Sequence, residues 1–483
     1  MSGALVLALD LGTTSVRALL VDRDGEIRSI ASRALSATFP EPGWIEQDPT
    51  ELWERSVDVL REALASGRAA AGDVAGIGVV TQRATCLAWD AATLQPLASA
   101  IGWQDQRSSA RVAELRALGI PINTMASATK FEWWMQHDDA IAKAAAAGTL
   151  RLGTPDTWLT SRLTGGAAHV TDPGNASCTA LFDPQTLEIA PALCAVFGVP
   201  FDSLPTVEAT SGVVGEMDPT LLGSPIPVAA RAGDQQAAAF AQGVFSPGDA
   251  KLTLGTSAML DVHSGDGPAE FGPGAYPLAL WKLSDGSRAF CLEGTVITAG
   301  SCVEWLVDLG VAPDAASVDA LANGVESSQG VIFVPALQGL GTPLLDDRAR
   351  GLVLGLTRGS GRAELARATL EGIAQRCTDV IEALGASGPA PLAIDGGLGQ
   401  SRLLVQSLAD FSGRELRRAS EVETTALGAA FLAGLAVGVW PSPEACREVI
   451  APPTVFEPRL SASERESARD RWADALRRAA GDP

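Results

Sequence analysis

The sequence predicts an α/β protein of two domains, on three observations. Its 483 residues fit two domains, three at most, of about 100–200 residues each. Apolar strand-like runs alternate with helical patterns along most of the chain, as in α/β architectures. A strand–turn–strand motif at the start of the chain returns 243 residues later, from Gly12 to Gly255, about once per half. The halves are expected at 1–245 and 246–483, joined at Phe245-Ser246-Pro247-Gly248-Asp249, a turn cluster between apolar stretches.

Taken in order, Leu5–Leu11 and Val16–Asp22 are apolar runs around a small-residue turn, and Arg23-Asp24-Gly25 is a second turn signal. That pattern predicts a hairpin of buried strands. Asp48-Pro49-Thr50 opens a helix through about Ser66, with Pro49 at a position where a missing N–H costs nothing. Val74–Val80 reads as a strand, and 160–166 as the end of a helix. In the second half, 250–262 repeats the hairpin. Helices are expected near 298–309, 361–384, 401–412 and 424–437, with strands near 331–334 and 391–395. A charged amphipathic helix follows Ser461 and ends near Ala480.

Composition narrows the function classes. The net charge of −21 argues against nucleic acid or an anionic membrane surface as a main partner, because both need basic patches. It leaves room for a local phosphate site built from backbone N–H groups and a few arginines. Hydrophobic residues at 46% and charged residues at 19% exclude wholesale disorder. The seven cysteines form no C-x-x-C pair and read as free thiols of a reducing compartment. The three histidines are too dispersed for a His-rich metal site. No basic segment precedes an apolar core at the N-terminus, so a cytoplasmic protein is expected. The uncharged stretch Thr424–Trp440 is Ala/Gly-rich and reads as a buried helix, not a membrane span.

Four motifs are candidates for chemistry. In Asp10-Leu11-Gly12-Thr13-Thr14-Ser15-x-Arg17 a strand ends in an acid that is expensive to bury unpaired. The Gly admits a phosphate to the backbone, the hydroxyls can bond its oxygens, and Arg17 can offset charge. The same run also fits an ordinary hairpin turn. Gly255-Thr256-Ser257 is its weaker counterpart, and together the two can pinch a polyphosphate from opposite sides. In Leu392–Ser401 a strand ends in Gly396-Gly397 before a helix, leaving room for a flat ligand at a helix N-terminus. The dinucleotide fingerprint fails there, since Arg402 stands where its third Gly belongs, and no P-loop occurs. That argues against a nicotinamide-dependent dehydrogenase. In Gly233-Asp234-Gln235-Gln236 a carboxylate after Gly is a candidate acceptor for a hydroxyl proton, or a helix cap.

Two such hairpins, a Gly-Gly turn and two separated aspartates resemble the actin/hexokinase/heat-shock-ATPase superfamily. The likeness goes further. Met125-x-Ser127-x-x-Lys130-Phe131-x-Trp133-Trp134-x-Gln136-His137 fits the first signature of the FGGY carbohydrate kinases. Gly351–Leu356 followed by Glu364-Leu365-x-x-Ala368-Thr369-Leu370-Glu371 fits the second. Gly43–Pro49, Thr81-Gln82-Arg83, Trp103–Arg107, Asp156–Leu159, Thr171-Asp172 with Asn175–Ser177, and Glu423–Ala430 make the chain most similar to the glycerol kinase branch.

The resemblance implies two RNase-H-like domains around a central ATP cleft, and a kinase acting on a polyol or ketose with ATP and Mg²⁺. It implies that Thr13, Thr14, Ser15, Arg17 and Thr256 meet the phosphates, and that Gly300, Glu304, Gly397 and Ser401 border the nucleotide. Glu304 and Ser401 depart from the family's usual Gln and Asn. Asp10 and Asp234 would hold the metal, with Asp234 also the catalytic base. Arg83, Ala84, Trp103, Met125, Asp234, Gln235 and Met259 would line the acceptor. Family members are often dimers or tetramers, so a homodimer or homotetramer is the implied assembly.

Glycerol kinases carry Glu, Tyr and Phe where this chain has Ala84, Met125 and Met259. Losing a buried carboxylate acceptor costs about 1–3 kcal/mol, or about 5- to 150-fold in affinity. The expectation from these departures is an acceptor of four or five carbons, with glycerol as the alternative. The xylulokinase-type Met-His pair is missing, since Arg83-Ala84 fills its place, so D-xylulose is not the default. A non-catalytic ATP-switching protein of the same superfamily is a further reading, one that has no need for Asp234 or the FGGY signatures. Trp133 and Trp134 are read as packing residues and His137 as a surface helix end.

Overall fold

The computed structural model describes residues 5–480 except 273, 387 and 389. Its first half is built on strands β1 (Leu5–Leu11), β2 (Ser15–Val21), β3 (Ile27–Ala34), β4 (Val74–Thr81), β5 (Ser211–Glu216) and β6 (Pro227–Gly233). They form one sheet in the order β5-β6-β4-β1-β2-β3. β1 runs antiparallel to β2 and parallel to β4, and β4 runs parallel to β6. The second half repeats the plan with β7 (Ala250–Leu254), β8 (Ala258–Gly265), β9 (Tyr276–Lys282), β10 (Arg288–Val296), β11 (Leu392–Asp395), β12 (Leu416–Arg418) and β13 (Thr454–Phe456). Their order is β9-β10-β8-β7-β11-β12-β13. An antiparallel hairpin again leads the sheet, and β11 and β12 run parallel to β7. The repeated Gly-Thr-Ser hairpin therefore marks a repeated sheet, and the two-domain α/β expectation holds.

Helices cover these sheets where the sequence places them. α1 (Pro49–Ser66) starts at Asp48, whose carboxylate accepts the Thr50 N–H, with Pro49 in its first turn. It and α3 (Pro155–Leu163) share a core with one face of the first sheet. α2 (Ser127–His137) lies in the long insertion between β4 and β5, which has its own apolar cluster around Phe131 and Trp134. α4 (Asp234–Ala241) follows β6 directly. α5 (Gly300–Asp308), α6 (Arg362–Ala383) and α7 (Arg402–Ser412) pack on the second sheet. α9 (Ala462–Ala479) closes the chain, and Trp472 anchors it in a small cluster with Val334 and Leu340.

α8 (Thr424–Ala436) comes from the second half but packs with α4, β1 and β6 of the first. It is the uncharged stretch of the sequence, and it is buried nearly all round. Gly428 lets its backbone touch that of Ala237, where any Cβ would collide with the Ala237 carbonyl. This crossing ties the two halves together. Among the described residues, no helix is long and apolar enough to cross a membrane. All seven cysteines are free, and Cys178 is the one that is not fully buried. Tyr276, the chain's one tyrosine, opens β9.

Candidate active site

Register gathers the first half's motifs at one edge. Leu11 pairs with Thr81, and Thr81 with Gly233, so β1, β4 and β6 end level. The residues just beyond them, Gly12–Ser15, Gln82–Ala84 and Asp234-Gln235, emerge side by side. Ligands of open α/β sheets bind at such carboxyl ends. In the second half β7 and β11 also end level, with Thr253 paired to Asp395. Gly255–Ser257 and Gly396-Gly397 leave there together.

The first turn is tight. Gly12 N–H donates to the Ser15 carbonyl at 3.0 Å. The Thr13 hydroxyl accepts from the Trp103 indole N–H at 3.0 Å, and its carbonyl from Gln47 at 2.9 Å. Thr14 is exposed and Ser15 half-buried. Arg17 lies opposite Asp10 in the hairpin and bonds Glu423, just before α8, at 3.1 Å. Asp10 is buried, which pushes its pKa up to about 7; Arg17 opposes the rise, while Asp234 and Glu423 add to it.

The facing turn is held by close backbone packing. Gly300, the first residue of α5, donates to the Gly255 carbonyl at 2.9 Å. A Cβ on Gly300 would sit 2.6 Å from that oxygen, so the position demands Gly. Ala299 and Ser301 N–H both donate to the Thr256 carbonyl. Gly396 has φ +87° and presses on Leu254, whereas Gly397 faces open space. Both glycine turns thus abut the end of β7. Glu304 is exposed on α5 with its carboxylate clear of the core. The Ser401 hydroxyl caps α7 by accepting the Leu404 N–H and donates to Asp319.

The residues expected to line the acceptor gather around Arg83. Its Nε lies 3.3 Å from Asp234 and its Nη2 2.7 Å from Glu293. Its Nη1 points at the Cys178 sulfur at 3.8 Å. Asp234 is the first residue of α4, with its side chain 34% exposed. One of its oxygens accepts the neighbouring Gln235 N–H at 2.8 Å. The Gln235 side-chain oxygen accepts from Lys251 at 2.6 Å.

Ala84 is fully buried with φ 62°, and its carbonyl accepts from Ser127 at 3.3 Å. Met125 and Met259 are half-buried, and the Thr295 hydroxyl points at the Met259 sulfur at 3.3 Å. Lys130 of the first signature bonds the carbonyls of Trp103 at 3.1 Å and Met125 at 3.3 Å. The signature lysine thereby fixes two expected lining residues. Trp134 is buried beside Phe131, Trp133 packs edge-on to Trp44, and His137 is an exposed helix end.

Glu293, Lys251 and Asp261 were not among the residues the sequence singled out. Glu293 precedes Gly294 in an apolar strand, and a lone acid in such a run is the signal that was available. Burial pushes Glu293 up to about 7, with Arg83 opposing and Asp261 reinforcing the rise.

The donor set fits Mg²⁺ held in its usual manner. Among the described residues no cluster of three metal-ligating side chains occurs. Mg²⁺ commonly takes one or two carboxylates and completes its shell with phosphate and water. Asp10 and Asp234 supply two carboxylates whose mutual repulsion a divalent cation offsets.

Comparison with known proteins agrees with this geometry. Models of the N-terminal and C-terminal domains of the FGGY family of carbohydrate kinases match residues 5–241 and 250–437. A glycerol kinase of Aromatoleum aromaticum is 42% identical over 490 residues, covering 99% of each chain. One from Symbiobacterium thermophilum is 41% identical over 495 residues, covering 100% of this chain and 99% of its own. The crystal structure of Plasmodium falciparum glycerol kinase with ADP superposes with a TM-score of 0.91 at 29% identity, covering 99% of this chain and 98% of that one. The chain belongs to the FGGY family of carbohydrate kinases, and is a phosphotransferase that uses ATP and Mg²⁺ with an alcohol as acceptor.

Proposed function

We propose that this FGGY kinase transfers the γ-phosphoryl group of ATP to a hydroxyl of glycerol, with Asp234 as the base. The observation that carries the reading is the Arg83–Asp234 pair at the mouth of the first sheet, with Asp234 part-exposed and Trp103 held nearby. Full-length identity of 41–42% to glycerol kinases favours glycerol over larger acceptors.

The chemistry follows from the residues. An alcohol is far less acidic than a carboxylic acid (Asp, about 3.9), so Asp234 does not deprotonate it in advance. It orients the hydroxyl and takes the proton as the phosphoryl group moves. The turn N–H groups of residues 13–15, the Thr256 hydroxyl and Arg17 orient the phosphates, Arg17 after leaving or sharing Glu423. Bound Mg²⁺ supplies charge neutralisation on the phosphate oxygens. Catalysis is then mainly positioning and electrostatics, and no covalent enzyme intermediate is required.

A second reading keeps the four- or five-carbon acceptor. Met125 and Met259, half-buried and adaptable, favour it. Ala84 lends it no support, because its methyl is fully buried. ADP release from MgATP against glycerol, erythritol, the pentitols and ketopentoses separates the two. A larger polyol far ahead of glycerol would displace the first reading.

A further inference from the structure

The second sheet carries three charged residues in one rung, next to one another on adjacent strands. Lys251 on β7 pairs with Asp261 on β8, and Asp261 pairs with Glu293 on β10. Lys251 is 0% exposed and bonds Asp261 at 2.9 Å. Asp261 and Glu293 face each other across the β8–β10 pair, and Asp261 adds to the rise in the Glu293 pKa. Buried charges are costly unless paired, so a rung of this kind inside a sheet calls for a reason.

Its two ends give one. Glu293 reaches the Arg83 guanidinium at 2.7 Å, closer than the 3.3 Å between Arg83 and Asp234. At the other end, Lys251 donates to the Gln235 side-chain oxygen at 2.6 Å. Asp234 and Gln235 are consecutive residues, so side-chain contacts and strand register together close a ring. It runs Asp234–Arg83–Glu293–Asp261–Lys251–Gln235. Three of its members belong to the first half and three to the second.

We infer that Glu293, supported by the Lys251–Asp261 pair, is a positioning residue for the acceptor: the second domain's sheet holds Arg83 and Gln235 of the first domain in their acceptor-binding orientation. Arg83 is planar and directional, and two carboxylates from opposite halves fix its plane. The Arg83 and Gln235 contacts both fall on one oxygen of Asp234, Oδ1, which leaves the other free for the hydroxyl. Acceptor binding is then tied to the relation between the two domains. None of the ring's second-half members sits at the Gly255 or Gly396 turns, so nucleotide contacts are expected to be independent of it. The inference rests on the reading of Arg83 as an acceptor-site residue.

The test is steady-state kinetics of wild type, Glu293→Gln and Glu293→Asp with glycerol and MgATP, alongside ADP binding by calorimetry. The expected result is an acceptor KM raised about tenfold in Glu293→Gln, with ATP KM and ADP affinity within about twofold of wild type. Glu293→Asp should restore part of the loss, because it keeps the carboxyl group. If Glu293→Gln does not fold, Glu293→Asp carries the same test with a rise of about threefold. An acceptor KM unchanged in both variants overturns the inference. So does a parallel rise in both KM values, which marks a merely structural role. Absence of glycerol-dependent turnover in the wild type instead overturns the proposed acceptor.

Discussion

Replacing Lys130 with methionine tests how the acceptor side is built. The Lys130 side chain is wholly buried, and its ammonium bonds the carbonyls of Trp103 and Met125 at 3.1 and 3.3 Å. Two bonds from a charged donor contribute about 3–6 kcal/mol together. Against this, burial pushes the lysine pKa from 10.5 down to about 8, which corresponds to about 3 kcal/mol disfavouring the charged form. Methionine removes both effects while filling most of the volume. The net loss of folding stability is therefore about 0–3 kcal/mol. Function should suffer more, because the freed carbonyls belong to two residues expected to line the acceptor. A misplacement worth 1.4 kcal/mol raises acceptor KM about tenfold. The ATP KM, which the proposal assigns to the turns at 12–15 and 255–256, should stay within about twofold. ADP-release kinetics and urea denaturation read the two quantities separately. An unchanged acceptor KM alongside lost stability would refute the reasoning, as would a joint rise of both KM values.

Further outcomes follow from the same structure. Gly300→Ala places a Cβ 2.6 Å from the Gly255 carbonyl and should weaken ADP binding about tenfold or more while sparing acceptor KM; calorimetry with ADP checks it. Asp156 is buried against Thr154, Thr171 and Asp172, and burial, reinforced by Asp172, raises its pKa from 3.8 to about 6. A carboxyl raised in this way contributes stability below pH 3.8 that is lost as pH rises through about 6. Urea denaturation should therefore show wild type losing about 2 kcal/mol relative to Asp156→Asn between pH 4.5 and pH 8; a difference independent of pH contradicts it.

Local signals carried most of the fold. The helices expected near 48–66, 361–384 and 401–412 appear as Pro49–Ser66, Arg362–Ala383 and Arg402–Ser412, because capping residues and apolar period mark their ends. The duplicated sheet was legible from one repeated turn. The crossing of α8 onto the first sheet was not, because a helix buried on every side has no polar face to say which neighbours it has. At the site, Asp10 stood out as an acid at a strand end and Asp234 as a carboxylate after Gly, whereas Arg83 came only with the family resemblance. The rung of Lys251, Asp261 and Glu293 did not stand out, because it depends on strand register, which places residues 32 apart in sequence on neighbouring strands (Asp261 and Glu293). The cap that Ser401 makes on α7 was not read from the sequence either, because the residue drew notice only for its place after the Gly-Gly turn.

The most direct test of the account is ADP release from MgATP by wild type and Asp234→Asn, with no acceptor, with glycerol and with the larger polyols and ketoses. The account predicts turnover that glycerol stimulates well above the acceptor-free rate. It also predicts a loss of about 10²- to 10⁴-fold in kcat for Asp234→Asn, with ADP binding retained. ATP turnover indifferent to every acceptor, or an Asp234→Asn variant as active as wild type, would contradict it.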